Sequence, residues 1–150
     1  MRKAFTMVEL IFVIVILGIL AAVAVPKMGN SKTQADISKG RADVSAIRSA
    51  ILTERQSQLI KGVNKYIPEL SNDSTLLFTG DDEGRILLTY GIASGTSEGK
   101  WSADDTEYKK YTFVANGQNV KFEYDSISGT FDCIAYNSDD ALAICKKLVY

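Results

Sequence analysis

The sequence predicts an α+β fold: a long N-terminal helix, membrane-spanning in its first half, packed by its second half on a small antiparallel β-sheet. Three patterns predict it. Residues 5–25 are apolar apart from Thr6, Glu9 and Gly18. A striped, amphipathic stretch follows over 27–62. From residue 108 onward the apolar side chains alternate with polar ones, and Asn116-Gly117 interrupts the alternation as a hairpin turn would.

The N-terminal segment reads MRKAFTMVELIFVIVILGILAAVAVP. As a helix, the run from Phe5 to Val25 would span roughly 30 Å, about one hydrocarbon core. It is apolar all round rather than on one stripe, as a helix bathed in lipid must be. Gly18 and Pro26 mark weak points in it, proline because it lacks a backbone donor and crowds the preceding turn. Glu9 is its one acid. An ionised carboxylate at membrane depth costs about 2.5–3.5 kcal/mol unless it is paired or neutral. Either Glu9 snorkels to the interface and does nothing more, or it meets a cation supplied by a partner.

In the next stretch Ile37, Val44 and Ile51 recur every seven residues, and Ala42, Ile47, Leu52 and Leu59 widen the stripe. Gly29 and Gly40 dilute it. Continuous with the apolar run, this helix would extend about 58 residues, on the order of 85 Å, until Gly62 and Pro68 end it. Residues 63–107 are rich in turns, at Asn72-Asp73-Ser74, Gly80 to Gly84 and Gly95 to Gly99, with Leu76–Phe78 and Arg85–Tyr90 as short strands or helical turns. Then Tyr111, Phe113 and Ala115 form one face of a strand, and Val120, Phe122 and Tyr124 one face of the next. Ser128-Gly129 offers a further turn before a third strand over Phe131–Tyr136. The aromatic face so formed is expected to cover the helix stripe.

Composition narrows the function classes. The chain has 150 residues, no histidine, two cysteines and a formal net charge of −1. Lack of histidine removes the usual general base and the commonest nitrogen metal ligand. No glycine-rich phosphate loop and no nucleophile–base constellation is present, so the chain reads as no enzyme, with no cofactor and no metal. Its charge offers no strongly basic nucleic-acid surface. The acidic pairs and triplets Asp81-Asp82-Glu83, Asp104-Asp105 and Asp139-Asp140 lack EF-hand spacing and read as solvated loop acids.

KAFTMVELIFVIVILGILAAVAVP closely resembles the N-terminus of type IV prepilins and type II secretion pseudopilins. The resemblance covers about 26 of 150 residues. It implies that a prepilin peptidase cuts between Ala4 and Phe5 and methylates the new amine of Phe5. Glu9 is then the acid used in assembly, meeting the Phe5 amine of a neighbour displaced along the axis. Gly18 and Pro26 fall where helices of this family loosen inside the filament. One departure stands out: the family usually has glycine before the cut, where this chain has Ala4. Alanine is the closest small substitute, so processing is expected to persist.

The resemblance also implies an organisation: 1–4 as leader, 5–26 as transmembrane and filament-core helix, 27–62 as amphipathic helix, and 63–150 as variable loop and sheet, forming one globular head with 27–62. It implies a single pass through the inner membrane with a periplasmic head, then a place in a homo- or hetero-oligomeric filament built by an assembly platform. Nucleic acid is a partner only for a competence pseudopilus. In an exported head, Cys133 and Cys145 read as one disulfide, which would stabilise the fold by roughly 2–4 kcal/mol through the unfolded chain; free thiols are the alternative. The competing reading of the whole chain is a monomeric envelope protein with a ligand-binding head. It is either anchored from Met1 or released as an ordinary secretory protein cut after Ala22-Val23-Ala24, beginning at Val25.

Overall fold

The computed structural model describes residues 5–104, 106–135 and 138–150, and of 24–30 and 135 the backbone alone. Helix α1 runs over Met7–Ile60. The chain divides into two compact units, residues 1–35 and 36–150. In the first unit every described side chain from Phe5 to Val23 is exposed, so this part of α1 has no core of its own.

In the second unit the buried line of α1 is Ile37, Gly40, Val44, Ile47, Ile51, Glu54 and Gln58. The spacing alternates between three and four residues, which keeps one face of a helix toward the core. The expected stripe is right at Ile37, Val44, Ile47 and Ile51 and wrong at Ala42, Leu52 and Leu59, which are exposed. Two polar residues, Glu54 and Gln58, take the seam positions that the apolar residues vacate. Gly40 does more than dilute the stripe. A Cβ there would meet the Phe113 ring at 2.6 Å and Leu148 at 2.7 Å, so the missing side chain is what lets the head approach α1.

The helix ends at a glycine. Gly62 has φ +81°, its N–H donates to the Leu59 carbonyl at 3.0 Å, and Val63 N–H reaches back to the Gln58 carbonyl at 2.9 Å. That pair of bonds is the Schellman closure, which satisfies carbonyls a helix end leaves open. Next come β1 (Leu76–Leu77) and β2 (Ile92–Ala93), paired antiparallel. Residues 85–90 form no strand of their own; Ile86 makes a lone bridge to Gly80.

The main sheet is an antiparallel meander in the order β3 (Trp101–Ala103), β4 (Lys110–Ala115), β5 (Gln118–Asp125) and β6 (Thr130–Ala135). Asn116 and Gly117 have φ +53° and +69°, the two left-handed residues that a two-residue type I′ hairpin requires. They set the register that pairs Ala115 with Gln118 and Phe113 with Val120. The third expected strand is present, starting one residue earlier at Thr130; Tyr136 lies outside the described residues.

The inward face of this sheet is aromatic. Trp101, Tyr111, Phe113, Phe122, Tyr124 and Phe131 are buried and share one core with Ile37, Val44, Ile47 and Ile51 of α1. Phe78 enters from the preceding segment in the left-handed region at φ +62°. Its ring sits 4.5 Å from Tyr111 and 5.6 Å, edge-on, from Trp101, geometries that aromatic quadrupoles favour. The strained backbone is held by the buried Ser71 hydroxyl, which accepts from Phe78 N–H at 2.8 Å and pairs with the Tyr111 hydroxyl at 2.8 Å.

A second helix, α2 (Asp139–Val149), follows the sheet and was not expected. Its signals are in the sequence: Ser138 as N-cap, accepting from Ala141 N–H at 3.1 Å, then Asp139 and Asp140 in the first turn and Lys146 and Lys147 in the last. Asp139 and Asp140 are therefore helix-start acids rather than loop acids. Ala141, Ile144, Cys145 and Leu148 form its buried face. Cys145 is joined to Cys133 of β6 in a disulfide, with Cα atoms 6.3 Å apart, and Arg41 of α1 donates to the Lys147 carbonyl at 2.6 Å.

Trp101 ties β3 to α1: its indole N–H donates to Asp43 Oδ2 at 3.0 Å, while Lys39 Nζ donates to the Gly99 carbonyl at 2.6 Å. Burial raises the Asp43 pKa above its ordinary value, against the indole bond and Lys39, which lower it. Asp125, at the β5–β6 turn, is shifted the other way by bonds from the Ser128 hydroxyl and the Ile127 N–H.

Two predictions follow from this packing. Gly40→Ala removes a helix-weakening glycine, yet should destabilise the head by about 1–2 kcal/mol, because overpacking outweighs the ~1 kcal/mol of propensity gained. Denaturant midpoints of the detergent-solubilised chain check it, and a raised midpoint would contradict the close approach. The second concerns pH. The stability that Asp43 contributes is full below its ordinary pKa and is lost as pH rises through its raised folded-state value. Asp125, with its lowered value, contributes above its ordinary pKa and loses that contribution as pH falls. Asp43→Asn keeps an acceptor for Trp101 and should abolish the loss on the alkaline side of that window. A stability difference between the variant and the parent that does not change with pH there would refute the assignment.

Candidate functional site

The first turn of α1 is built by a reciprocal pair. Glu9 N–H donates to Thr6 Oγ1 at 3.2 Å, and Thr6 N–H donates back to Glu9 Oε2 at 2.9 Å. The Thr6 hydroxyl also donates to Glu9 Oε2 at 3.0 Å. This is a capping box, in which two orphan donors of a helix start are satisfied at once. Leu10 N–H closes the turn on the Thr6 carbonyl at 3.2 Å. The single acid of the apolar run is thus partnered by its own helix start. The spacing Thr6-x-x-Glu9 carries that signal in the sequence, and a reading of Glu9 from its burial cost alone overlooks it.

Around this turn the surface is apolar and open. Phe5 precedes the helix and is 82% exposed, and Met7, Val8, Leu10, Ile11 and Phe12 are all exposed. Monomeric soluble proteins rarely leave a contiguous apolar surface of this extent in water; such surfaces mark protein or membrane contacts. Among the described residues, no helix is long and apolar enough to cross a membrane.

The other expected site residues fall as follows. Ala4 lies outside the described residues. Gly18 lies within α1, where an added Cβ would meet nothing within 4 Å. α1 passes through Pro26 without interruption, with the proline ring itself outside the description. Cys133 and Cys145 are brought together in the disulfide. The acidic clusters do structural work. Asp81 Oδ1 accepts from the N–H groups of Glu83 and Arg85 at 3.1 and 2.9 Å, and Asp104 Oδ2 accepts from the Thr112 hydroxyl at 2.6 Å. Among the described residues no three acidic, cysteine or histidine side chains are grouped as a metal site would need.

With this geometry in view, the similarity to known proteins is informative. Residues 1–25 match the family described as the prokaryotic N-terminal methylation motif. The chain is 40% identical over 141 residues to a type II secretion system core protein G of Pectobacterium carotovorum subsp. carotovorum, covering 89% of this chain and 83% of that one. It is 30% identical over 132 residues to a type IV major fimbrial protein FimA of Dichelobacter nodosus, covering 80% of this chain and 74% of that one. A core protein G of Klebsiella michiganensis is 28% identical over 141 residues, covering 89% and 91%. No solved structure gives a significant match. The matches cover 80–89% of this chain and so reach well beyond the apolar segment. The chain belongs to the family of type IV pilins and type II secretion pseudopilins, whose members are structural subunits and not enzymes.

Proposed function

We propose that this chain is a structural subunit of a type IV pilus or a type II secretion pseudopilus, polymerised through the apolar half of α1. The observation that carries this reading is the exposed apolar helix with one carboxylate in its first turn. Held alone in water that surface is unfavourable, at about 25 cal/mol per Å² of apolar area. Lipid covers it before assembly and neighbouring helices cover it afterwards.

In this reading a prepilin peptidase removes residues 1–4 and methylates Phe5. The subunit waits as a single-pass protein of the inner membrane with its head in the periplasm, and an assembly platform then draws it into the filament. The Thr6 bonds keep Glu9 satisfied during that wait. On assembly its carboxylate takes the Phe5 amine of a neighbour, which fixes the axial stagger between helices. Contacts that repeat head to tail without closing build a fibre rather than a ring. Gly18, whose missing side chain serves no contact within the subunit, and Pro26 are the places where α1 loosens as helices pack side by side.

Intact mass and N-terminal sequencing of the chain from membranes and from sheared filaments test the processing step. The expected mature chain begins at methylated Phe5; a start at Val25 or Met1 would overturn the reading. Glu9→Ala should leave the chain in the membrane fraction at normal abundance while abolishing filaments, and normal filaments from this variant would exclude Glu9 as the register group. Thr6→Ala removes the cap, at a cost of about 1 kcal/mol to the helix start. It should lower filament yield less than Glu9→Ala does, as measured by quantitative blotting of sheared material.

A further inference from the structure

Resting on the reading of this chain as a filament subunit, we infer that the groove between α1 and residues 83–87 receives a lysine side chain from a second copy of the chain. The groove has a volume of about 710 Å³ and is lined by Thr53, Glu54 and Gln58 of α1, by Lys61 just past its end, and by Arg85 and Ile86 opposite. Glu54 stands on the seam of α1, at a position the helix periodicity reserves for an apolar residue, and is only 6% exposed. Neither of its carboxylate oxygens has a hydrogen-bond partner, nor has the buried Asp81 Oδ2 beside the groove. These three are all but one of the buried side-chain oxygens left without a hydrogen bond among the described residues. A carboxylate shut away from water without a donor is costly.

Arg85, which reaches into this cluster from within the subunit, is already divided. Arg85 lies 3.4 Å from Asp81 Oδ2, 3.2 Å from Glu83 Oε2 and 3.3 Å from the Tyr66 carbonyl, and makes no bond to Glu54. Lys61 lines the groove without an ion pair to Glu54 among the described residues. Glu54, Asp81 and Glu83 against Arg85 and Lys61 still leave the site short of positive charge. A metal ion fits poorly, since among the described residues no three acidic groups converge. A basic side chain fits well, because it brings its own donors and needs no converging ligand set.

Its identity follows from what is spare. Arg41, Arg48, Arg55 and Arg85 are each engaged inside the head, with the Lys147 carbonyl, with Phe131 and Asp132, with Asn64 and the Tyr66 ring, and with Asp81. Lysines such as Lys65, Lys121 and Lys146 are exposed, and each carries a compact ammonium with three donors on a flexible stem. Glu54 meets the ammonium by turning one rotamer toward the groove.

The test uses the full chain produced with its assembly machinery. Glu54→Gln removes the buried charge, so the detergent-solubilised subunit should unfold at the same denaturant concentration as the parent or a higher one. Sheared filament yield should nevertheless fall at least tenfold. In parent-background filaments, an Ile86→Cys variant treated with a maleimide–succinimidyl ester cross-linker should join to a lysine of another copy, identified by mass spectrometry. The same treatment of detergent-dispersed subunits should give no such product. Parallel loss of subunit stability and filaments in Glu54→Gln would assign Glu54 a purely structural role and overturn the inference. So would full filament yield with no cross-link, or filaments that chelator dissolves and calcium restores. If the parent chain makes no filaments at all, the subunit reading itself fails, a result distinct from each of these.

Discussion

One contact organises residues 36–150: the seam of α1, with a glycine at Gly40, pressed on the aromatic face of the β-sheet. The absence of a side chain at Gly40 sets how near Phe113 and Leu148 come. From that distance follow the burial of Val44, Ile47 and Ile51, the reach of the Trp101 indole to Asp43, and the seat of α2 beside Arg41. Interiors pack like molecular crystals, so this separation has little room to adjust. Around it the aromatic rings meet at edge-on and tilted angles, and the polar groups that must enter the core do so in pairs, as Ser71 and Tyr111 do.

The apolar half of α1 poses the opposite problem. Its described side chains, from Phe5 to Val23, are exposed and form no core of their own, so its stability as a free molecule depends on what it lies in. That asymmetry is what links structure to function. A head with a core of its own can leave a membrane and enter a filament without refolding, while the apolar helix exchanges one apolar environment for another. The capping box adds a second economy of the same kind. Glu9 is satisfied locally by Thr6, so this carboxylate is not left bare within the subunit.

Among the described residues, Glu54 is the one side chain of the head with two buried oxygens left without a hydrogen bond. Asp43, by contrast, accepts from the Trp101 indole, and Thr112 donates to Asp104. Natural proteins break local rules mainly where function requires it. A charged seam residue is thus more informative about assembly than the many exposed charges around it.

Much of this was legible in the sequence because the signals are local. A run apolar on all sides, a turn pair with two left-handed residues at Asn116 and Gly117, and strict alternation over Tyr111–Ala115 and Val120–Tyr124 depend on neighbours along the chain. The same is true of the segment whose resemblance gave the family. Two local signals were present and overlooked: the Thr6-x-x-Glu9 cap and the Ser138 cap that opens α2. What the sequence by itself determined was therefore the class of each strong element and the kind of subunit this is. Only the tertiary structure decided which side of α1 faces inward, so that Glu54 and Gln58 are buried while Leu52 and Leu59 are exposed. The reason is physical: burial depends on what arrives from distant parts of the chain, and a stripe diluted by glycine and polar residues does not state which of its edges the sheet will cover.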